Sequence, residues 1–402
     1  MTSTTFTHPS LRGQRKVETV LRARRRVDVP GLATGPSWLL AAVVTVLNMI
    51  GLIMVLSASS VVAVRQHRAA WSLFEKQALW TGVGILALVA CLMISVDFWR
   101  RHVRIWMGVS IALLAAVLVP GVGQSANGAT RWIAAGPVQI QPSEFAKFGL
   151  LLFVADLFDR RQDRVGEWRW ALRPVVIYLG VVAVLVMAQP NLGTTVIIAA
   201  MVLIVALVAG VPLIPLSIVT LTGVAVAVAS VAYTPFRRTR FTRFLNPWAD
   251  PTNTGLQNIQ SLVGLANGGL LGRGLGRSTA KWGFLPFAHT DFIFAIIGEE
   301  FGLVGALVVV ALFLALAVLG TTIALRSKDH FSMLVAVGIT AWLVVQAVMN
   351  IGAVIGILPI TGVPLPFISS GGSSLVINLA AIGMLLNIAR HPADAPARRA
   401  AT

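Results

Sequence analysis

Long runs of apolar residues separated by short polar segments set the pattern of this chain. The runs fall at 38–56, 79–96, 105–120, 144–158, 174–188, 194–209, 213–232, 292–325, 334–357 and 375–388. Most approach the ~20 residues that a helix needs to cross a bilayer. Inside lipid every backbone N–H and C=O must be satisfied within the segment, which a helix achieves unaided. The pattern predicts an all-α polytopic membrane protein of about ten transmembrane helices. One segment breaks the rhythm. Between the seventh and eighth runs, 233–290 mixes arginines with apolar clusters such as Ser261-Leu262-Val263-Gly264-Leu265 and Gly283-Phe284-Leu285-Pro286-Phe287. A solvated linker is poorer in such residues, so this large loop is expected to fold over the membrane surface with short interfacial helices.

The chain then divides into a basic tail, 1–36, expected to be largely disordered, a membrane domain, 37–390, and a short polar tail, 391–402. With ten spans both termini share one side. Arg100, Arg101 and Arg104, then Arg160, Arg161, Arg164, Arg169 and Arg173, then Arg326 and Lys328, and finally Arg390, Arg398 and Arg399 fall on that side. The opposite short loops carry only Arg65, Arg68, Lys76, Arg131 and Lys147. The positive-inside bias makes both termini cytoplasmic. The loop 233–290 then lies outside despite Arg237, Arg238, Arg240, Arg243, Arg273, Arg277 and Lys281, because long loops are largely exempt from that bias.

Composition sharpens the picture. Hydrophobic residues make up 56% of the 402 positions and charged ones only 12%, which excludes an ordinary soluble domain. The net charge of +17 sits mostly in tails and short loops, so the membrane explains it and nucleic acid is set aside. Cys91 is the single cysteine, which excludes a disulfide framework and a thiolate metal site.

Candidate chemistry gathers on the outer face. The run HTDFIFAIIGEE, 289–300, places Asp291 at the mouth of a span, with Glu299 and Glu300 expected two turns deeper. Acids within a span cost at least ~2.5 kcal/mol, so they mark function or a paired network. Asp291 suits a helix N-terminus as a cap, and equally suits proton transfer to an anionic ligand held by the basic loop before it. Glu144 and Lys147, at i,i+3 after Pro142, share a helix face and are expected to neutralise each other. Arg131 and Trp132 lie in the loop before them. The turn Pro364 to Ser374, with Ser369, Ser370, Gly371, Gly372 and Ser373, opens a helix whose N–H groups could bind phosphate or serve simply as a capped turn. His289 and Asp291 have no companion cluster to make a metal site, although a divalent cation, Mg or Mn, carried on a pyrophosphate stays open.

At these residues the chain resembles the SEDS family (shape, elongation, division and sporulation), which includes FtsW, RodA and SpoVE. The resemblance rests on NIGAVIGILPITGVPLPFISSGGSS at 350–374, LPFAHTDFIFAIIGEEFGLVG at 285–305 and QPSEFAKFGLLLF at 141–153. FLNPWADP at 244–251 and GLGRS at 274–278 are similar to the cell-division branch. The resemblance implies an inverting peptidoglycan glycosyltransferase that polymerises lipid II, releases undecaprenyl pyrophosphate and works at the septum with a class B penicillin-binding transpeptidase and other divisome membrane proteins. It makes Asp291 the essential aspartate and general base, with Glu144, Lys147, Arg131, Trp132, Glu299 and Glu300 in support. Arg243, Asn246, Gln257, Arg273, Arg277, Lys281, His289, Thr290 and the Ser369–Ser373 turn are the expected substrate contacts. A lipid II transporter and a non-catalytic scaffold for the transpeptidase are the competing functions.

Overall fold

The computed structural model describes residues 35–390 apart from 66, 68, 127–128, 136–137 and 254. Nearly all of the basic tail, Arg68 and the tail 391–402 lie outside the described residues. In chain order the helices are α1 Pro36–Arg65, α2 Ser72–Met93, α3 Val96–Arg101, α4 Val103–Val117, α5 Pro142–Arg160, α6 Leu172–Ala188, α7 Leu192–Ala209, α8 Leu213–Tyr233, α9 Pro235–Leu245, α10 Leu256–Gly268, α11 Ile293–Leu325, α12 His330–Val354 and α13 Gly372–Arg390. Among the described residues, α1, α2, α7, α8, α11, α12 and α13 are long and apolar enough to cross a membrane, and α4 and α6 are shorter apolar helices. The remaining predicted run, 144–158, is α5, whose Glu144, Lys147, Asp156, Asp159 and Arg160 keep it from reading as a plain apolar span.

Charged and amide side chains mark the helices that lie inside. Most of α5, α12 and α13 is buried, whereas α8 buries only Leu216. Apolar side chains gain little by leaving lipid for protein, while charged and polar ones must find partners within the bundle. At one end of α5, Arg160 Nε lies 2.7 Å from Asp156 Oδ2 and Gln162 donates to Asp159 at 2.9 Å. Arg100 of α3 pairs with both aspartates. Small residues let the helices approach: a Cβ at Gly383 of α13 would meet Leu88 O of α2 at 2.2 Å.

A small antiparallel sheet between α4 and α5 adds to the all-α architecture. Its strands are β1 Gly123–Ala126, β2 Ala129–Ala135 and β3 Val138–Ile140, paired in that order. The helical period of the flanking runs hides it, although the sequence carries Asn127-Gly128, the dipeptide that favours a tight hairpin.

The loop 233–290 holds α9, α10 and 3-10 turns at Pro247–Ala249 and Ala280–Trp282. Its tip enters a break in α11, where Gly302 adopts φ 68° and ψ −163°. Arg273 N and Gly274 N donate to Glu299 O and Glu300 O, both at 3.0 Å. Leu303 N and Val304 N donate back to Gly269 O at 2.9 Å and Leu270 O at 3.2 Å. The loop thus satisfies backbone groups that a broken span would leave orphaned.

The break lies just after the glutamates, so the helix that carries them, from Ile293 to Phe301, need not follow the direction of the span beyond it. A continuous helix would set Glu299 and Glu300 two turns below Asp291, as the sequence suggests. Instead Glu300 binds Ser57 of α1, while Gly51, farther from the loop end of α1, packs against Phe367 and Ile368. Those two residues belong to the loop that holds the Asp291 segment, so the glutamates do not lie beneath the aspartate.

A Cβ at Gly302 would stand 2.4 Å from Gly272 N and 2.5 Å from Leu270 O. Gly302→Ala is therefore expected to destabilise the fold by about 2–3 kcal/mol, read as a lower Tm in detergent. Gly108→Ala, with nothing within 4 Å of the added atom, is the control and should lose nothing.

Candidate functional site

Asp291 is positioned through its backbone. α12 and the loop after it bind three successive carbonyls, the loop taking two: Ser370 N donates to His289 O at 3.0 Å and Ser369 Oγ to Thr290 O at 2.6 Å. Asn350 Nδ2, from α12, donates to Asp291 O and to Val363 O, each at 2.8 Å. Phe287 and Phe367, one in each joined segment, hold φ values of 60° and 65°. Such left-handed conformations cost side-chain-bearing residues about 1–3 kcal/mol and persist where the surroundings fix them. With its carbonyl held, the Asp291 side chain lies beside Gly362, whose Cβ would be 3.6 Å from Oδ2.

The Glu144/Lys147 pair supports the same loop from below. Lys147 Nζ lies 2.9 Å from Glu144 Oε2, donates to Gln346 Oε1 at 2.8 Å and sits 4.6 Å from the centre of the Trp342 ring. Both side chains are almost fully buried. Gln346 then donates to Pro364 O at 2.9 Å, carrying the connection from α5 through α12 to the loop. At the other end of that loop, Ser373 Oγ accepts from Gln141 N at 3.2 Å.

Beside Asp291 opens a cationic cleft of about 70 Å³. Arg131 of β2, Arg237 and Arg240 of α9, Gly193, Phe241 and Thr361 are among its lining residues. Arg131 Nε donates to Gln189 O at 3.0 Å and its Nη2 to Pro190 O, while Arg237 binds Ser230 Oγ. Burial pushes the Asp291 carboxyl up from 3.8 to about 6, against the opposing pull of the Arg240 and Arg131 guanidiniums. The residue keeps a partly exposed edge. A half-buried carboxylate with a near-neutral pKa can take up a proton, and guanidiniums beside it can hold an anion.

The remaining predicted residues divide by place. Trp132 is half-buried on β2 beside Arg131, and His289 and Thr290 immediately precede Asp291. Glu299, fully buried, accepts from Ser278 Oγ, from Thr279 N and Oγ1 at 2.9 and 2.7 Å, and from Ala280 N at 3.2 Å. Glu300 accepts from Ser57 Oγ at 2.7 Å and from Lys281 Nζ at 3.0 Å. Lys281 also donates to Gly276 O at 2.7 Å and is buried, so its charge holds the loop and is not presented to a ligand. Lys147 is sealed off in the same way. Arg273, Arg277 and Asn246 are exposed, while Arg243, Gln257, Ser370, Gly371 and Gly372 are half-buried. Ser369 and Ser373 spend their hydroxyls on backbone partners. Lys281 therefore drops out of the candidate anion contacts, and Arg237 and Arg240 join them, which the i,i+3 spacing on one face of α9 could have singled out. Gln346 and Asn350, at i,i+4 in an apolar helix, carry a second such signal.

Among the described residues no three His, Cys, Asp or Glu side chains cluster as a metal site.

The FtsW/RodA/SpoVE family model, described as cell cycle protein, matches residues 37–394. Stage V sporulation protein E of Bacillus subtilis is 38% identical over 358 residues, covering 89% of this chain and 98% of its own. The probable peptidoglycan glycosyltransferase FtsW of Mycobacterium tuberculosis is 44% identical over 360 residues, covering 89% of this chain and 68% of its own. Among solved structures, a chain from a peptidoglycan synthase complex that coordinates polymerization and crosslinking matches with a TM-score of 0.72 at 31% identity, covering 88% and 97% of the two chains. The rod shape determining protein RodA of Thermus thermophilus matches with a TM-score of 0.66 at 28% identity, covering 88% and 96%.

Removing one member of a buried ion pair leaves the other charge uncompensated, at a cost of about 3–5 kcal/mol. Lys147→Met should therefore lower Tm sharply in detergent, and adding Glu144→Gln should restore much of the loss. A double variant no more stable than the single one would contradict the pairing.

Proposed function

The chain belongs to the FtsW, RodA and SpoVE family of cell cycle proteins, and from that premise we propose that it is a peptidoglycan glycosyltransferase. In this reading it polymerises lipid II into glycan strands during septal wall synthesis, beside a class B penicillin-binding transpeptidase and other divisome membrane proteins. The observation that carries it is the meeting of one carboxylate, Asp291, with the guanidiniums of Arg131 and Arg240, at a cleft that Arg237 also lines. Support comes from relatives named as probable peptidoglycan glycosyltransferases, and from the match to a complex that couples polymerization to crosslinking. The Asp291 end of the bundle faces outside, and both termini are cytoplasmic.

The reaction divides between these groups. Asp291 takes the proton from the 4-hydroxyl of the acceptor's N-acetylglucosamine. The resulting oxygen attacks the anomeric carbon of the donor's N-acetylmuramic acid from the face opposite the leaving group, so an α linkage becomes β. The bond to the pyrophosphate breaks, and undecaprenyl pyrophosphate departs. This leaving group needs charge neutralisation more than protonation, which fixed guanidiniums supply in a site partly withdrawn from water. One carboxylate among arginines is a poor donor set for a resident divalent cation, so no step is assigned to a metal.

The test is polymer formation from labelled lipid II in detergent, with and without the transpeptidase. Wild type is expected to give glycan strands on a gel and Asp291→Asn none. Arg240→Gln should lower kcat by about 10²-fold, the usual cost of one charge-stabilising donor. Equal polymer from Asp291→Asn would remove the base. No polymer from wild type with its partner present would favour a transporter or scaffold.

A further inference from the structure

We infer that the groove between α10 and the 279–284 turn is a binding subsite for one N-acetylhexosamine of the growing glycan, distinct from the Asp291 cleft. This rests on the glycosyltransferase reading. The groove has a volume of about 250 Å³ and is lined by Gln260, Val263, Gly264, Asn267, Thr279 and Phe284, with Ala280 at its base. That is below the ~300–1,000 Å³ of pockets for drug-sized ligands. It has room for one sugar ring.

The lining matches the chemistry of such a ring. Gln260 and Asn267 each present a carboxamide with both donors and an acceptor, and Thr279, whose hydroxyl proton goes to Glu299, adds an acceptor oxygen. These complement the hydroxyl and acetamido groups of an N-acetylated sugar, which likewise donate and accept. Phe284, 58% exposed, offers its ring to the apolar C–H face of a pyranose. Arg273 ties the two walls together, donating through Nε to Asn267 O at 3.2 Å and through Nη1 to Thr279 Oγ1 at 3.5 Å.

The groove is rigid because of what lies under it. Glu299 accepts hydrogen bonds from Thr279 N, Thr279 Oγ1 and Ala280 N, fixing the wall that carries Thr279. A wall held in place beforehand reduces the ordering cost of binding. The groove also belongs to the same unit as the base: Gly264 of α10 packs against Ala295 O in the first turn of α11, just beyond Asp291. A strand leaving the Asp291 cleft can therefore be held a short way along its length. Holding a second point on the chain raises the effective concentration of its reactive end between additions. The subsite governs how long the enzyme keeps its product, and it plays no part in forming a single bond.

Two measurements on the full-length purified protein test this. The first is binding of a lipid-free tetrasaccharide of alternating N-acetylglucosamine and N-acetylmuramic acid, followed by saturation-transfer NMR, to wild type and to Asn267→Ala, Phe284→Ala and Asp291→Asn. The second compares the rate of the first condensation of lipid II with the length of strands on a gel. Both substituted groove residues are exposed, and an unchanged Tm verifies folding. Wild type and Asp291→Asn should bind equally, and Asn267→Ala and Phe284→Ala about tenfold more weakly. Those two groove variants should make shorter strands at an unchanged first-bond rate. Equal tetrasaccharide binding by the groove variants, no binding by wild type, or unchanged strand length would overturn the subsite. Groove-dependent binding in a wild type that makes no polymer would keep the subsite and sink the glycosyltransferase reading.

Discussion

A buried ammonium must carry its counter-charge and its hydrogen-bond acceptors with it, and Lys147 imposes that demand on this fold. Its partners come from two helices: Glu144 on its own α5, and Gln346 and Trp342 on α12. Satisfying them locks α5 against α12 at a fixed height. Gln346, held by Lys147, then fixes Pro364, and Asn350, one turn along α12, fixes both Val363 and the backbone of Asp291. The acid at the cleft is thus oriented by a chain of polar contacts that begins at a charge with no access to water. A hydrophobic contact at the same place would hold the helices together without fixing the direction of a carbonyl.

The second constraint is the break in α11. Continuing the helix through Gly302 would shut out the loop that now completes its backbone hydrogen bonds. Glu299 and Glu300 stand beside the break and bind the same loop through their side chains, with Lys281 compensating one of the two charges. Backbone and side chain thereby act together to seat an otherwise exposed segment on the bundle. This accounts for acids in an apolar run without giving them a part in the chemistry.

The ten runs are legible in the sequence because hydropathy is all that a lipid-facing helix needs to declare. Asp291, Glu144 and Lys147 stand out equally clearly, since a charge within such a run is costly unless function or a paired network retains it. What stays hidden depends on three-dimensional pairing. The basic loop offers seven cations of similar standing, and only folding shows Lys281 consumed by Glu300 and Arg240 turned toward Asp291. Glu299 and Glu300 are misplaced in depth by the sequence alone, because the break at Gly302 frees the short helix before it from the direction of the span that follows, so rise along that helix no longer measures depth. The sheet containing Arg131 escapes notice because its strands are short and lie between strongly helical neighbours.

In the proposed mechanism a single carboxylate does proton transfer and the neighbouring guanidiniums manage phosphate charge. The two roles are coupled electrostatically, because burial raises the Asp291 pKa toward neutrality while Arg240 and Arg131 hold it back. As a base the group must be ionised, so activity should rise as pH increases through its pKa and fall below it. The most direct test is the pH dependence of single-turnover strand formation in wild type and Arg240→Gln. Wild type should show a rising limb with an apparent pKa near 6, displaced to higher pH when the guanidinium is removed. A profile without that limb, or one that Arg240→Gln leaves in place, would contradict the assignment of Asp291 as the base.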